Sequence, residues 1–194
     1  MKDKFFISDP HFGHENIINF KNSDGKLMRP FKSLEEMHQT IEDNWNTRVG
    51  VSDKVYILGD VVMNLKKCID EKGVHILERL KGHKTLIKGN HDIFNSSDIY
   101  EKYFKAVHGV RVFPNDFVCT HVPVHPSCLE RPSWPANVHG HLHNYEITKK
   151  VNVENGVVST LITVPDRKYL NVSVERINYT PIEYSEVMEK LKGV

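Results

Sequence analysis

Cysteine is scarce in this sequence. The three present, Cys68, Cys119 and Cys128, are odd in number and follow no paired or CxxC spacing. That pattern argues against a disulfide framework and points to reduced thiols in a cytoplasmic protein. Long hydrophobic runs are missing as well. No window approaches the roughly 18 to 20 apolar residues of a membrane span, and the run Phe5–Ile7 is too short for a secretory signal. Neither sign of charge is in surplus: 26 Lys and Arg stand against 25 Asp and Glu, for a net charge of +1. Long duplex nucleic acid, which calls for a clustered basic surplus, is therefore not an expected partner. No repeat, low-complexity tract or linker interrupts the chain, so residues 1–194 read as a single domain, long enough for a full hydrophobic core. What the sequence has in quantity is histidine, twelve in all.

In the first half, short apolar runs alternate with amphipathic stretches, the pattern of strands joined by helical crossovers. Strands are expected at Lys4–Ser8, Lys54–Leu58, Thr85–Lys88, Phe117–Thr120 and Ala136–His139. Leu34, Met37, Ile41 and Trp45 recur at helical spacing, with Ser33 as N-cap and Glu36 closing a capping box. A second helix is expected through Ile69–Leu80, weakened at Gly73, and a short one over Glu183–Leu191. Stretches near 105–120 and 147–176 are rich in Val, Thr, Ile and Tyr. They carry turn signals at Pro114-Asn115-Asp116 and at Asn155-Gly156, the latter a hairpin dipeptide. The fold expected is α/β with two mixed β-sheets.

Five of the expected strands end in polar residues able to bind metal. Asp9-Pro10-His11, Gly59-Asp60, Gly89-Asn90-His91-Asp92, His121 and Gly140-His141-Leu142-His143 each follow an apolar run. Ligands of α/β sheets sit beyond the carboxyl ends of strands, and glycine before a ligand lets backbone approach an ion closely. Imidazole, carboxylate and amide donors without thiolate suit manganese, iron, zinc or nickel. Seven such donors, Asp9, His11, Asp60, Asn90, His121, His141 and His143, exceed what one ion needs and suit a pair. Taken singly, each cluster has a plain reading as a turn or a helix cap. Their conjunction at five strand ends is what points to chemistry.

This ordered series resembles the calcineurin-like metallophosphoesterases. The tail, Asn171-Val-Ser-Val-Glu followed by Tyr179-Thr-Pro-Ile, is similar to small stand-alone members from bacteria and phages. The resemblance implies a four-layer αββα sandwich with its metals above the sheet edges. It implies Asp9, His11 and His143 on one divalent ion, Asn90, His121 and His141 on the other, and Asp60 bridging them. It implies hydrolysis of a phosphate ester by a metal-bridging hydroxide, with His91 assisting the leaving group and Asp92 holding the His91 imidazole. Manganese is the favoured metal. A small substrate, of nucleotide type and weakly a diester, is favoured over long nucleic acid. The alternatives are a catalytically silent metal-binding scaffold on the same fold, or a nuclease.

Around that set, His14 and His125 follow ligands closely in loops expected to rim the site, and Arg29 and Arg131 are candidate phosphate clamps. His38, His75, His83, His108 and His139 read as surface or satisfied core histidines.

Overall fold

A computed structural model describes residues 2–92, 101–154 and 159–193. Seven strands precede a separate two-stranded hairpin. They are β1 (Lys4–Ile7), β2 (Lys54–Ile57), β3 (His83–Ile87), β4 (Ala106–His108), β5 (Arg111–Phe113), β6 (Phe117–Cys119) and β7 (Ala136–His139). The hairpin is β8 (Thr148–Glu154) and β9 (Ser159–Pro165), and β10 (Tyr169–Asn171) and β11 (Ile182–Glu183) follow. The architecture is mixed α/β with two mixed sheets and few helices. In the larger sheet the order is β11-β1-β2-β3-β4, parallel from β1 through β4, with β11 antiparallel at the edge. The other is β10-β7-β6-β5, antiparallel only between β5 and β6.

The parallel core explains why β1 and β2 read as unbroken apolar runs: Phe6, Ile7, Val55 and Ile57 have no solvent exposure. The sheets face one another through aromatic rings. Phe6 of the first meets Phe113 and Phe117 of the second edge-on, at 5.4 and 5.5 Å between centroids. Helix α1 (Leu34–Arg48) buries the expected stripe Leu34, Met37, Ile41 and Trp45. Ser33 Oγ accepts the Glu36 amide at 3.1 Å, but the box closes one residue early, because Glu36 Oε2 takes the Lys32 amide. Helix α3 (Tyr184–Lys190) starts with the reciprocal version, Glu183 with Glu186.

The helix expected over Ile69–Leu80 is a correction. Only α2 (Ile76–Arg79) is helical there, preceded by a 3-10 turn at Leu65–Cys68. Asp70 Oδ1 accepts the amides of Lys72 and Val74, tying residues 70–74 into a turn before a helix can start. The β8–β9 hairpin is present and pairs with neither sheet, and the Asn155-Gly156 dipeptide lies outside the described residues. Among the described residues no helix is long and apolar enough to cross a membrane.

One junction positions the site. Beyond β1, the Ser8 amide donates to Val172 O at 2.8 Å, and the Val174 amide donates to Ser8 O at 3.0 Å. The continuation of β10 in the second sheet thereby pairs with the end of β1 in the first, so the C-terminal ends of both sheets open onto one place.

Candidate metal centre

All seven expected ligands meet at that place. Asp9 and His11 follow β1, Asp60 follows β2 and Asn90 follows β3, while His121 follows β6 and His141 and His143 follow β7. Backbone contacts lock the loops together. The amide of Asp9 donates to Gly59 O and that of His11 to Asp60 O, both at 3.1 Å. The His141 amide donates to Asp9 Oδ2 at 2.9 Å. Gly140 is obligatory, since a Cβ there would overlap Ser8 Oγ and Asp9 Oδ2.

The donors form two groups, Asp9 with His11 and His143, and Asp60 with His121 and His141, each with its ligand atoms within 4.8 Å of one another. Asp60 Oδ2 stands between them, 3.8 Å from His11 Nε2 and 3.3 Å from His121 Nε2. Its other oxygen, Oδ1, accepts the His91 amide at 2.8 Å. Asn90 Oδ1 lies 2.9 Å, and His141 Nδ1 3.2 Å, from His121 Nε2. His121 Nδ1 donates to Leu58 O at 2.7 Å, which leaves the Nε2 lone pair facing these acceptors. His143 Nδ1 donates to Glu175 Oε1 at 3.0 Å, which likewise leaves Nε2 as the ring nitrogen able to bind a metal. Lone pairs facing one another at such distances repel unless a cation lies among them. Asp9 Oδ1 and both ring nitrogens of His11 are buried without a hydrogen-bond partner among the described residues. Buried polar atoms are almost always satisfied, so these orphans fit metal ligands.

The backbone carries the same signature. Eight non-glycine residues among those described have positive φ, and five of them are expected ligands: Asp9, His11, Asp60, His141 and His143. Each such residue costs on the order of 1–2 kcal/mol and persists only where its surroundings enforce it. A clustering this tight marks a site for which local stability has been given up.

Charge follows the geometry. Burial pushes the Asp9 carboxyl up, but the neighbouring imidazoles of His11, His121 and His143 outweigh it and hold Asp9 below the usual carboxylate range. Asp60 is also lowered: burial opposes ionisation and His121 overcomes it. Burial lowers His11 and His141, keeping both neutral and able to ligate. Against burial, the carboxylate of Asp60 raises His121 and that of Glu175 raises His143.

No family model matches this chain. Over 192 residues it is 33% identical to Uncharacterized protein MJ1445 of Methanocaldococcus jannaschii, covering 99% of this chain and 93% of that protein. The chain belongs to the MJ1445 family. Gene 66 protein of Mycobacterium phage L5 is 33% identical over 95 residues, 47% of this chain and 41% of that protein. Among solved structures, the protein of unknown function AQ665 from Aquifex aeolicus has the same fold. It matches with a TM-score of 0.67 at 22% identity, over 97% of this chain and 99% of that one.

Within this member of the MJ1445 family, the remaining expected site residues divide. His91 is exposed beside the centre, its ring 5.9 Å from that of His11. The His14 ring also lies 5.9 Å from that of His11 and meets the exposed Phe20 at 5.5 Å. The role expected of Asp92 needs correcting. Its carboxylate accepts the amides of Asp60 and Gly89, both at 2.8 Å, and of Val61 at 2.9 Å, and the bonds among the described residues do not join it to the His91 ring. It therefore splices the Asp60 loop to the Asn90 loop. Arg29 is no phosphate clamp. It is fully buried and donates to Asp9 O at 2.6 Å, to Pro10 O at 2.9 Å and to Glu175 Oε1 at 2.7 Å. His125 is exposed and commits Nδ1 to Ser127, capping the turn Pro126–Leu129. Arg131 is exposed, with no bond to the cluster among the described residues.

Several contributors escaped the sequence reading. Glu175 backs His143, Ser173 Oγ donates to Asp9 Oδ2 at 2.9 Å, and Asn171 Nδ2 donates to His143 O at 2.8 Å. All three lie in the Asn171-Val-Ser-Val-Glu stretch, whose polar positions at every second residue were the available signal.

Proposed function

We propose that this chain is a dinuclear-metal-dependent phosphoesterase of the calcineurin-like kind, with its sheets and helices stacked as a four-layer αββα sandwich. The observation that carries this reading is the convergence of seven N and O donors from both sheets, five of them held at positive φ around orphaned ligand atoms. Asp9, His11 and His143 would hold one divalent ion and Asn90, His121 and His141 the other, with Asp60 shared. The thiolate-free donor set favours manganese, with iron, zinc or nickel as alternatives. When bound, such a pair supplies positive charge to phosphoryl oxygens and lowers the pKa of a water.

The chain's own residues supply the rest. His91 is exposed, with its backbone anchored on Asp60 Oδ1, and would give a proton to a leaving-group oxygen. Asp92 keeps the Asp60 and Asn90 loops in register. His14 lies beside His11, where a small ester, of nucleotide type and weakly a diester, would extend.

The test is hydrolysis of bis-p-nitrophenyl phosphate by the purified protein before chelation, after it, and after manganese is restored. Turnover should vanish with chelator, return with metal, and fall at least about 100-fold in Asp60→Ala. Bound metal without turnover on any phosphate ester would instead make the protein a metal-binding scaffold.

A further inference from the structure

Behind the Asp9, His11 and His143 group lies a buried ion pair. Arg29 and Glu175 stand 146 residues apart in sequence, with side chains 0% and 1% exposed. Burying two charges is costly, and apolar residues of similar volume commonly stabilise a core as well or better. What this pair touches explains its presence. Glu175 Oε1 receives both Arg29 Nε at 2.7 Å and His143 Nδ1 at 3.0 Å. The other Arg29 nitrogens hold the carbonyls of Asp9 and Pro10, which are the backbone on either side of the step from Asp9 to His11. One ion pair thus fixes the ring of His143 and the strained backbone between Asp9 and His11.

In the other group, among the described residues, no carboxylate from outside the group backs a histidine ring. His121 is backed by the neutral carbonyl of Leu58 at 2.7 Å. A carboxylate behind an imidazole makes the ring a stronger donor and fixes its orientation more firmly than a carbonyl does. We infer that Arg29 and Glu175 are positioning residues that make the Asp9, His11 and His143 position the tighter of two unequal metal positions, the one filled first. This rests on the two-metal reading above.

The test uses the full chain, stripped of metal and titrated with manganese alone, with calorimetry for affinity, elemental analysis for stoichiometry and thermal melting of the metal-free protein. E175Q keeps the shape and removes the charge, and R29M/E175M removes both charges so that no lone buried ion remains. Wild type should take up two ions in two resolved steps. In both variants the tighter step should weaken 10- to 100-fold while the weaker stays within about twofold. Equal weakening of both steps, or a lower melting temperature with both steps unchanged, would make the pair merely structural and overturn the inference. Weakening of the second step alone would overturn the assignment of the tight position. A wild type that takes up no manganese would overturn the two-metal reading, and this inference with it.

Discussion

At the scale of the residue, His38 shows how a histidine outside the ligand set shapes the centre. Its Nε2 accepts the Gly13 amide at 2.9 Å, two residues beyond His11, and that bond requires a neutral ring. Burial pulls its pKa from an ordinary 6.5 down to about 4, against the opposing charge of Glu35 and with smaller help from Arg79. The unfolded chain therefore takes up a proton at a higher pH than the folded one. The stability His38 confers is complete above 6.5 and is lost as pH falls from 6.5 towards 4. With the ring only partly shielded from water, the loss is on the order of 2 kcal/mol. Denaturant melts between pH 7 and 4 should show that slope, and His38→Gln, whose amide oxygen still accepts from Gly13, should flatten it. An unchanged slope in the variant would mean that His38 does not cause it.

At the scale of the element, the β8–β9 ribbon stands apart. It pairs only with itself, and Val153, Leu161 and Ile162 are exposed on it. A lone two-stranded ribbon is marginal in water. Amide hydrogen exchange should therefore be faster across β8 and β9 than across β1, β2 and β3, by at least about 100-fold. Comparable protection would mean that something covers the ribbon. Elements also show what sequence can carry. Strands β1, β2 and β7 and helix α1 were legible because a run of apolar residues or a period near four is a local pattern. The segment 69–80 was not, because the periodicity of Ile69, Ile76 and Leu80 says nothing of the Asp70 side chain capturing two amides. At the site, the seven polar residues that converge were legible because each lies one to four residues past the end of an expected strand. Arg29 and Glu175 were not, since a pairing 146 residues apart leaves no trace in spacing.

At the scale of the whole molecule, the centre is where the two sheets are sewn together, so occupancy and global stability should be one measurement. A metal that binds only the folded chain raises its stability by about 2.7 kcal/mol when present at 100 times its Kd. Manganese should raise the melting temperature in a concentration-dependent way, and Asp60→Ala should abolish most of the rise; a melting temperature indifferent to metal would count against a site at the seam. The seam also has a history in time. Asp9 takes a hydrogen bond from Ser173, which is 164 residues further along the chain. During synthesis, β1 and its two ligands emerge early, and the residues that hold them in their strained conformation are among the later ones made. Until then Asp9 and His11 remain ordinary side chains on an unfinished loop. If the cluster holds metal, it can do so only once both sheets are in place.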